Sequence, residues 1–382
     1  MRYKLGEIFN LQMGKTPDRH SPKFWNEGTE PWISIADLTK CNKYIENTAE
    51  KITATAVDES GIKIIPKNTV IMSFKLSIGK VAITPKEMYS NEAIMSFIDK
   101  GVLKIEPVYL YYLLMHKDWD TGTNKAVMGK TLNKATLSQM TVNIHGYSEQ
   151  LEIIKALDAA SSIIAARKQQ LTELDNLVKA RFVELFGDPV SNPKDWNVEP
   201  LGKRCGIITG NTPPRSEPEN YGKYIEWIKS DNINTPFTFI TKAQECLSEA
   251  GFEKCRFVEA GSILMTCIAG SIDCIGNVAV TDRRVAFNQQ INAIVPEQDE
   301  VLYLYWLMQL SKPMIHRTIN MALKGILSKS QLSEIVFPFP PITLQEQFVA
   351  FVEQTDKSKV VVQKALDEAQ TLFDSMMQEY FG

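Results

Sequence analysis

Gly129-Lys130-Thr131 has the residue types that close a phosphate-binding loop, where backbone N–H groups cradle phosphates and a lysine neutralises them. The pattern G-x-x-x-x-G-K-[ST] requires glycine at position 124, and the residue there is Asn124. Nucleotide binding is therefore not expected. The Asn/Asp-Pro-Pro-aromatic box with which amino-methyltransferases hold an extruded base is absent, because the Pro-Pro pairs stand in Thr212-Pro213-Pro214-Arg215 and Phe339-Pro340-Pro341-Ile342. No G-x-S-x-G occurs, and no glycine fingerprint opens a strand-helix unit. The six cysteines (Cys41, Cys205, Cys246, Cys255, Cys267, Cys274) form no C-x-x-C pair, and none of the four histidines stands three or four residues from another. A zinc site has no support in this spacing, and reduced thiols in a cytoplasm are the expectation. The chain is read as performing no chemistry and holding no cofactor or metal. An enzyme whose site is assembled only in space is the competing reading.

The elements that would position any site come into view when the chain is laid on itself. Leu5-Gly6 recurs as Leu201-Gly202, Gly14-Lys15-Thr16-Pro17 as Gly210-Asn211-Thr212-Pro213, and Trp32-Ile33 as Trp227-Ile228. Gly79-Lys80-Val81-Ala82-Ile83-Thr84 returns as Gly276-Asn277-Val278-Ala279-Val280-Thr281, and Leu185-Phe186-Gly187 as Tyr380-Phe381-Gly382. A period of about 195 residues is far too long for a solenoid repeat. Two copies of one complete unit are expected. With 382 residues, 44% apolar and 23% charged, the chain is an ordinary globular protein of two to three domains. The charged start and the short apolar stretch from Ala260 to Ile272 argue against an export signal or a membrane segment, so a cytoplasmic location is expected. The net charge of −3 hides a gradient: +4 over residues 1–148, −1 over 149–186, −2 over 187–344 and −4 over 345–382. That gradient permits a local basic face without demanding one.

Each copy divides again. Residues 1–148 and 188–344 carry short β-branched and aromatic runs broken by Gly, Pro and Asn, such as Thr69 to Phe74, which reads as a mixed α+β domain. Residues 149–187 and 345–382 read instead as two long helices, with apolar residues stepping by four and three over more than four heptads. The first series includes Leu157, Ile164, Leu171, Leu174 and Val178, interrupted by Arg167 and Arg181. The second includes Val352, Val362, Leu366, Phe373 and Met376, interrupted by Thr355 and Lys359. These ten apolar residues are the expected coiled-coil interface. Connectivity and a pseudo-twofold axis require the helices to be antiparallel, with a globular head at each end. The fold class expected is α+β, two similar mixed globular domains separated by an antiparallel coiled coil.

At this point the residues resemble a known family. Leu5-Gly6-Glu7-Ile8, Gly14-Lys15-Thr16-Pro17 and Pro31-Trp32-Ile33 are similar to the specificity (S) subunits of type I restriction-modification systems. So are Ile78 to Ile83, the run Lys324 to Leu332, Phe337-Pro338-Phe339-Pro340-Pro341, Leu344 to Gln347 and the hinge Leu185-Phe186-Gly187-Asp188-Pro189. The first copy departs from the pattern where Asn143 to Ser148 replaces the prolines, which leaves the expected fold intact but leaves open where domain one meets its helix.

The resemblance implies a non-catalytic subunit in which each head reads half of an asymmetric bipartite site on double-stranded DNA and the helices set the gap. It implies two methyltransferase (M) subunits gripping the helices and methylating adenine N6 with S-adenosylmethionine, and restriction (R) motor-nuclease subunits. S-adenosylmethionine, ATP and Mg would belong to those partners. A helical scaffold with no DNA target is the alternative. Phosphate contacts position a protein and base-edge contacts specify, so the DNA-contacting candidates are polar and basic residues on loops. In head one they are Lys15, Thr16, Arg19, Lys75, Ser77, Lys125, Lys130, Asn133 and Lys134. In head two they are Asn211, Thr212, Arg215, Ser271, Lys324, Ser328, Lys329 and Gln331. The Gly-x-Thr-Pro loops read equally well as plain turns, Arg283-Arg284 as a solvated turn, and Trp32 and Trp227 as core.

Overall fold

The computed structural model describes every residue except Leu76, 120–123, 127–128 and 320–324, and gives the backbone alone for 124–126 and 129–131. The chain forms two compact units, one of residues 1–167 with 365–382 and the other of residues 168–364.

In the first unit, β1 (Phe9–Met13), β2 (Val70–Ser73), β3 (Val81–Ile83) and β4 (Ile94–Asp99) make an antiparallel sheet in the order β1-β4-β2-β3. In the second, β5 (Cys205–Thr209), β6 (Ile263–Thr266), β7 (Val278–Val280) and β8 (Ile291–Pro296) repeat it as β5-β8-β6-β7. Both units add a small sheet built on a parallel pair, with Trp32 opposite Tyr89 in one and Trp227 opposite Ala286 in the other. Trp32 and Trp227 are core residues, 1% and 2% exposed. The duplication read from the sequence is thus a duplication of strand order and register.

The long helices are α1 (Tyr147–Phe186) and α2 (Ile342–Phe381), forty residues each. Neither contains proline or glycine, whose cost in a helix interior is about 3 and about 1 kcal/mol. Helix α2 opens directly after Pro340-Pro341, where a missing N–H costs nothing. Helix α1 closes on Gly187, whose φ of +81° suits glycine and whose N–H donates to the Val183 carbonyl at 2.8 Å.

Within the first unit, Ile153 and Leu157 of α1 share one core with Phe373, Met376 and Met377 of α2 and with Tyr109, Tyr112 and Leu113 of the head. In the second, Val178, Phe182 and Phe186 share a core with Phe348, Val352 and Tyr303. The sense of pairing there is explicit. Phe186 meets Phe348 at 5.6 Å, Arg181 lies 5.8 Å over Phe351, and the Lys359 ammonium bonds Asp175 at 2.8 Å, so one helix counts down as the other counts up.

Among the ten interface positions, Leu157, Ile164, Val178, Val352 and Val362 are buried, and Leu171, Leu174, Leu366, Phe373 and Met376 are half-buried. Val360 and Val361, between heptad positions, are 69% exposed. Lys359 interrupts the stripe without leaving a bare charge, because it also reaches Asp356 at 3.1 Å. Burial works against its charge, yet these two carboxylates hold its pKa above the usual lysine value.

The join between head and helix is the same in both units despite the sequence departure. The buried Gln345 accepts from the Glu300 N–H at 3.0 Å and donates to Asp299 Oδ1 at 2.7 Å and to the Pro340 carbonyl at 3.0 Å. The buried Gln150 accepts from the Glu106 N–H at 3.1 Å and donates to the His145 carbonyl at 3.0 Å and the Lys104 carbonyl at 3.2 Å. Tyr303 donates to the Pro338 carbonyl at 2.7 Å; in the first unit the Tyr109 hydroxyl meets His145 Nδ1 at 2.7 Å. Asn143, whose carbonyl the Tyr109 hydroxyl reaches at 3.4 Å, stands where Pro338 does, and His145 adds a second, shorter contact, so helix α1 is seated on the same tyrosine and glutamine without the prolines. Among the described residues no helix is long and apolar enough to cross a membrane.

Candidate nucleic-acid interface

The Gly-x-Thr-Pro loops are positioned by a turn that both units build identically. In the first, Asn91 takes its place through an N–H bond to the Ile33 carbonyl at 3.1 Å, and its Oδ1 accepts the Ala93 N–H at 3.0 Å. The Gly14 N–H donates to the Ile94 carbonyl at 3.2 Å and the Lys15 N–H to the Ser90 carbonyl at 2.8 Å. A Cβ on Gly14 would lie 2.2 Å from the Asn91 carbonyl oxygen, so only glycine lets the loop approach this turn. In the second unit Asn288, Gly210 and Asn211 make the same bonds, and a Cβ on Gly210 would lie 2.2 Å from the Asn288 oxygen. These loops are structural turns that also set the side chains beyond them.

On the first unit that frame brings Lys15, Lys134 and Thr16 together. A cleft of about 440 Å³ is lined by Asn10, Gln12, Lys15, Lys63, Glu92 and Lys134 among others. The Thr16 hydroxyl donates to the exposed Glu92 carboxylate. Partial burial raises the Glu92 pKa, but the Thr16 bond, its own backbone N–H, Lys75 and Arg19 outweigh burial and hold it below the usual value. Lys63 and Glu92 carry little signal in the sequence, since only the folded sheets bring them beside Lys15. Lys75 is half-buried, its ammonium 5.3 Å over Phe74, and Ser77 is exposed while its carbonyl accepts from Ser73.

Other candidates hold the fold together. The Arg19 guanidinium pairs with Glu50 and lies 3.9 Å over Trp25 and 4.6 Å over Trp32. Arg215 repeats this with Glu245, Tyr221 at 4.4 Å and Trp227 at 5.2 Å. Asn133 caps the helix Lys134–Gln139 by accepting the Thr136 N–H at 2.8 Å. Ser328 and Gln331 form a reciprocal capping box at 3.2 and 2.9 Å, and Gln331 also donates to the Thr318 carbonyl at 3.2 Å. The strands Asn124–Ala126 and Gly129–Thr131 pair with Lys125 opposite Lys130, whose side chains lie outside the described residues, as does Lys324.

On the second unit, Asn211 donates to the Lys254 carbonyl at 2.7 Å and accepts the Arg256 N–H at 2.8 Å, and Thr212 donates to the exposed Gln289. Lys329 and Ser271 are exposed, the latter capping a short turn through the Asp273 N–H at 3.3 Å. Arg284 is exposed, as expected, beside the exposed Glu259, whereas Arg283 is half-buried and pairs with Glu226, which its strand brings alongside. Among the described residues no cluster of His, Cys, Asp and Glu could hold a metal ion.

The Arg215 bond, with Lys229 assisting, outweighs burial and depresses the Glu245 pKa from the usual 4.5 to about 2. A folded-state pKa below the unfolded one stabilises above the unfolded value, and that contribution is lost as pH falls through the folded one. Glu245→Gln is therefore expected to lower the thermal midpoint at pH 6, with the gap to wild type closing between pH 4.5 and 2. Thermal melts across that range check this, and a gap constant with pH would refute it.

The family model for type I restriction modification DNA specificity domains matches residues 1–176 and again 193–369. The chain is 28% identical over 233 residues to the type I restriction enzyme MjaIX specificity subunit of Methanocaldococcus jannaschii, covering 56% of this chain and 53% of that one. It is 29% identical over 261 residues to the HindI specificity subunit of Haemophilus influenzae, covering 64% of this chain and 53% of that one. The chain thus spans about half the length of these two relatives. Its fold is similar to that of a type I restriction-modification S subunit from M. genitalium, with a TM-score of 0.56 at 14% identity over 100% of this chain and 96% of that one.

Proposed function

We propose, for a chain that belongs to the family of type I restriction modification DNA specificity domains, that each unit reads one half of an asymmetric bipartite site on double-stranded DNA and that the chain performs no catalysis itself. The doubled turn carries this reading: one hydrogen-bonded frame, present twice, presents a different set of exposed polar groups each time. Identical frames with non-identical side chains suit recognition of two different half-sites. The lysines of the first cleft would meet phosphates, and the groups between them would meet base edges. The apolar side chains left exposed on the long helices, Leu177 and Val183 in the second unit with Val360 and Val361, fit docking of methyltransferase subunits. Those partners would supply adenine N6 methylation with S-adenosylmethionine, and motor-nuclease subunits would use ATP and Mg, all in the cytoplasm.

The test is DNA affinity of the complex with its methyltransferase subunit, measured against salt concentration. Each phosphate contact contributes roughly 0.9 to the slope of log affinity on log salt. Lys15→Ala, Lys63→Ala and Lys134→Ala are each expected to lower the slope by about that much, equally for all sequences. An affinity independent of salt would leave the scaffold reading in its place.

A further inference from the structure

The two frames differ chemically at one exposed position. Each turn follows a short strand, each is fixed by an asparagine whose Oδ1 accepts an N–H two residues on, and each presents the next residue beside a threonine hydroxyl. That next residue is Glu92 in the first unit and Gln289 in the second, and both are exposed. Thr16 donates to Glu92 Oε2, and Thr212 donates to Gln289 Oε1. The threonine therefore holds one end of each side chain. In Glu92 the oxygens accept and have no proton to give. In Gln289 the amide N–H groups are left for another acceptor, and its oxygen keeps a second lone pair.

These are the groups that distinguish bases in a major groove. A carboxylate accepts from the cytosine N4 amino group, and a carboxamide pairs with adenine N6 and N7 through its oxygen and its N–H. A carboxylate near a phosphate backbone needs cations around it, and Lys15, Lys63 and Lys134 line the same cleft as Glu92. On the second unit the uncharged Gln289 needs no such cluster.

We propose that Glu92 and Gln289 are base-reading residues at equivalent places in the two units, Glu92 selecting cytosine and Gln289 selecting adenine. The inference rests on the reading of these faces as duplex-DNA interfaces.

The experiment maps methylated adenines on genomic DNA exposed to the full complex of this chain with its methyltransferase subunit. Glu92→Gln keeps the shape and the threonine bond. It is expected to shift one position of one half-site from cytosine toward adenine, with discrimination changed about tenfold or more, while the other half-site stays as it was. Gln289→Glu is expected to make the reciprocal shift in the other half-site. Thr16→Val, which leaves the carboxylate but removes its anchor, should relax the same position that Glu92→Gln rewrites. Thermal midpoints equal to wild type show that the variants fold. The inference is overturned if both exchanges leave the recognised sequence unchanged, or if they lower methylation of all sites uniformly. A wild-type complex that methylates without sequence preference would overturn the DNA reading itself, and so is distinguishable from either result.

Discussion

Exchanging residues 1–148 for the corresponding head of another family member is expected to rewrite one half of the recognised sequence and leave the other half intact. The head's contacts with the long helices of its own unit run through Tyr109, Tyr112 and Leu113, and the join is organised by Gln150, which the exchange retains. The second unit keeps its own sheet and its own turn around Asn288. A mismatched base pair typically costs about 1–3 kcal/mol, so several altered contacts are enough to switch a half-site completely. Mapping of modified adenines decides the matter, and a chimera in which both half-sites change would mean that the units do not read independently.

The second large effect is on stability. Phe182 is 1% exposed, stacked on Tyr303 at 5.6 Å and set edge-on to Phe186 at 4.9 Å and Phe348 at 5.4 Å. Truncation of such a residue removes buried area and leaves a cavity among three rings that cannot close around it. Phe182→Ala is expected to destabilise the second unit by about 3–5 kcal/mol. Met377 stands at the equivalent place in the first unit, 4% exposed, and its flexible chain packs a less specific site. Met377→Ala should cost about 2–3 kcal/mol, and Met377→Leu less than about 1.5 kcal/mol. Denaturant unfolding measured with probes placed in each unit separates the two, and equal losses for Phe182→Ala and Met377→Ala would contradict the role given to the ring cluster.

The fold was legible because its signals are local or periodic. Gly14 and Gly210 recur since the close approach to Ser90 and Phe287 admits nothing larger, and the heptad stripe recurs since 3.5-residue spacing is what keeps one helix face turned inward. The candidate interface was less legible for a different reason. A basic side chain looks alike in sequence whether it is free or paired. Arg19 meets Glu50 and Arg215 meets Glu245 only after segments about thirty residues apart have been brought alongside. The capping roles of Ser328 and Gln331 were open to reading, because Ser-x-x-Gln before an apolar residue is a helix-start pattern. Glu92 had a weaker signal, an acid directly after an asparagine at a strand end, and an expectation built on positive charge passes over it.

The glutamine join has a further consequence. Gln150 and Gln345 each bind their head through one N–H and two acceptors that include a main-chain carbonyl, and the tyrosine beside each accommodates either a proline-rich approach or a histidine. Such a coupling asks of an incoming head little beyond the tyrosine and, in the second unit, Asp299. Genetic crossover just before either long helix, after the short strands Thr141–Asn143 and Val336–Pro338, would therefore yield well-seated hybrids far more often than crossover inside a four-stranded sheet. If each unit reads its own half-site, new specificities would be acquired whole, as ready-made modules, without a period of slow repair to the join.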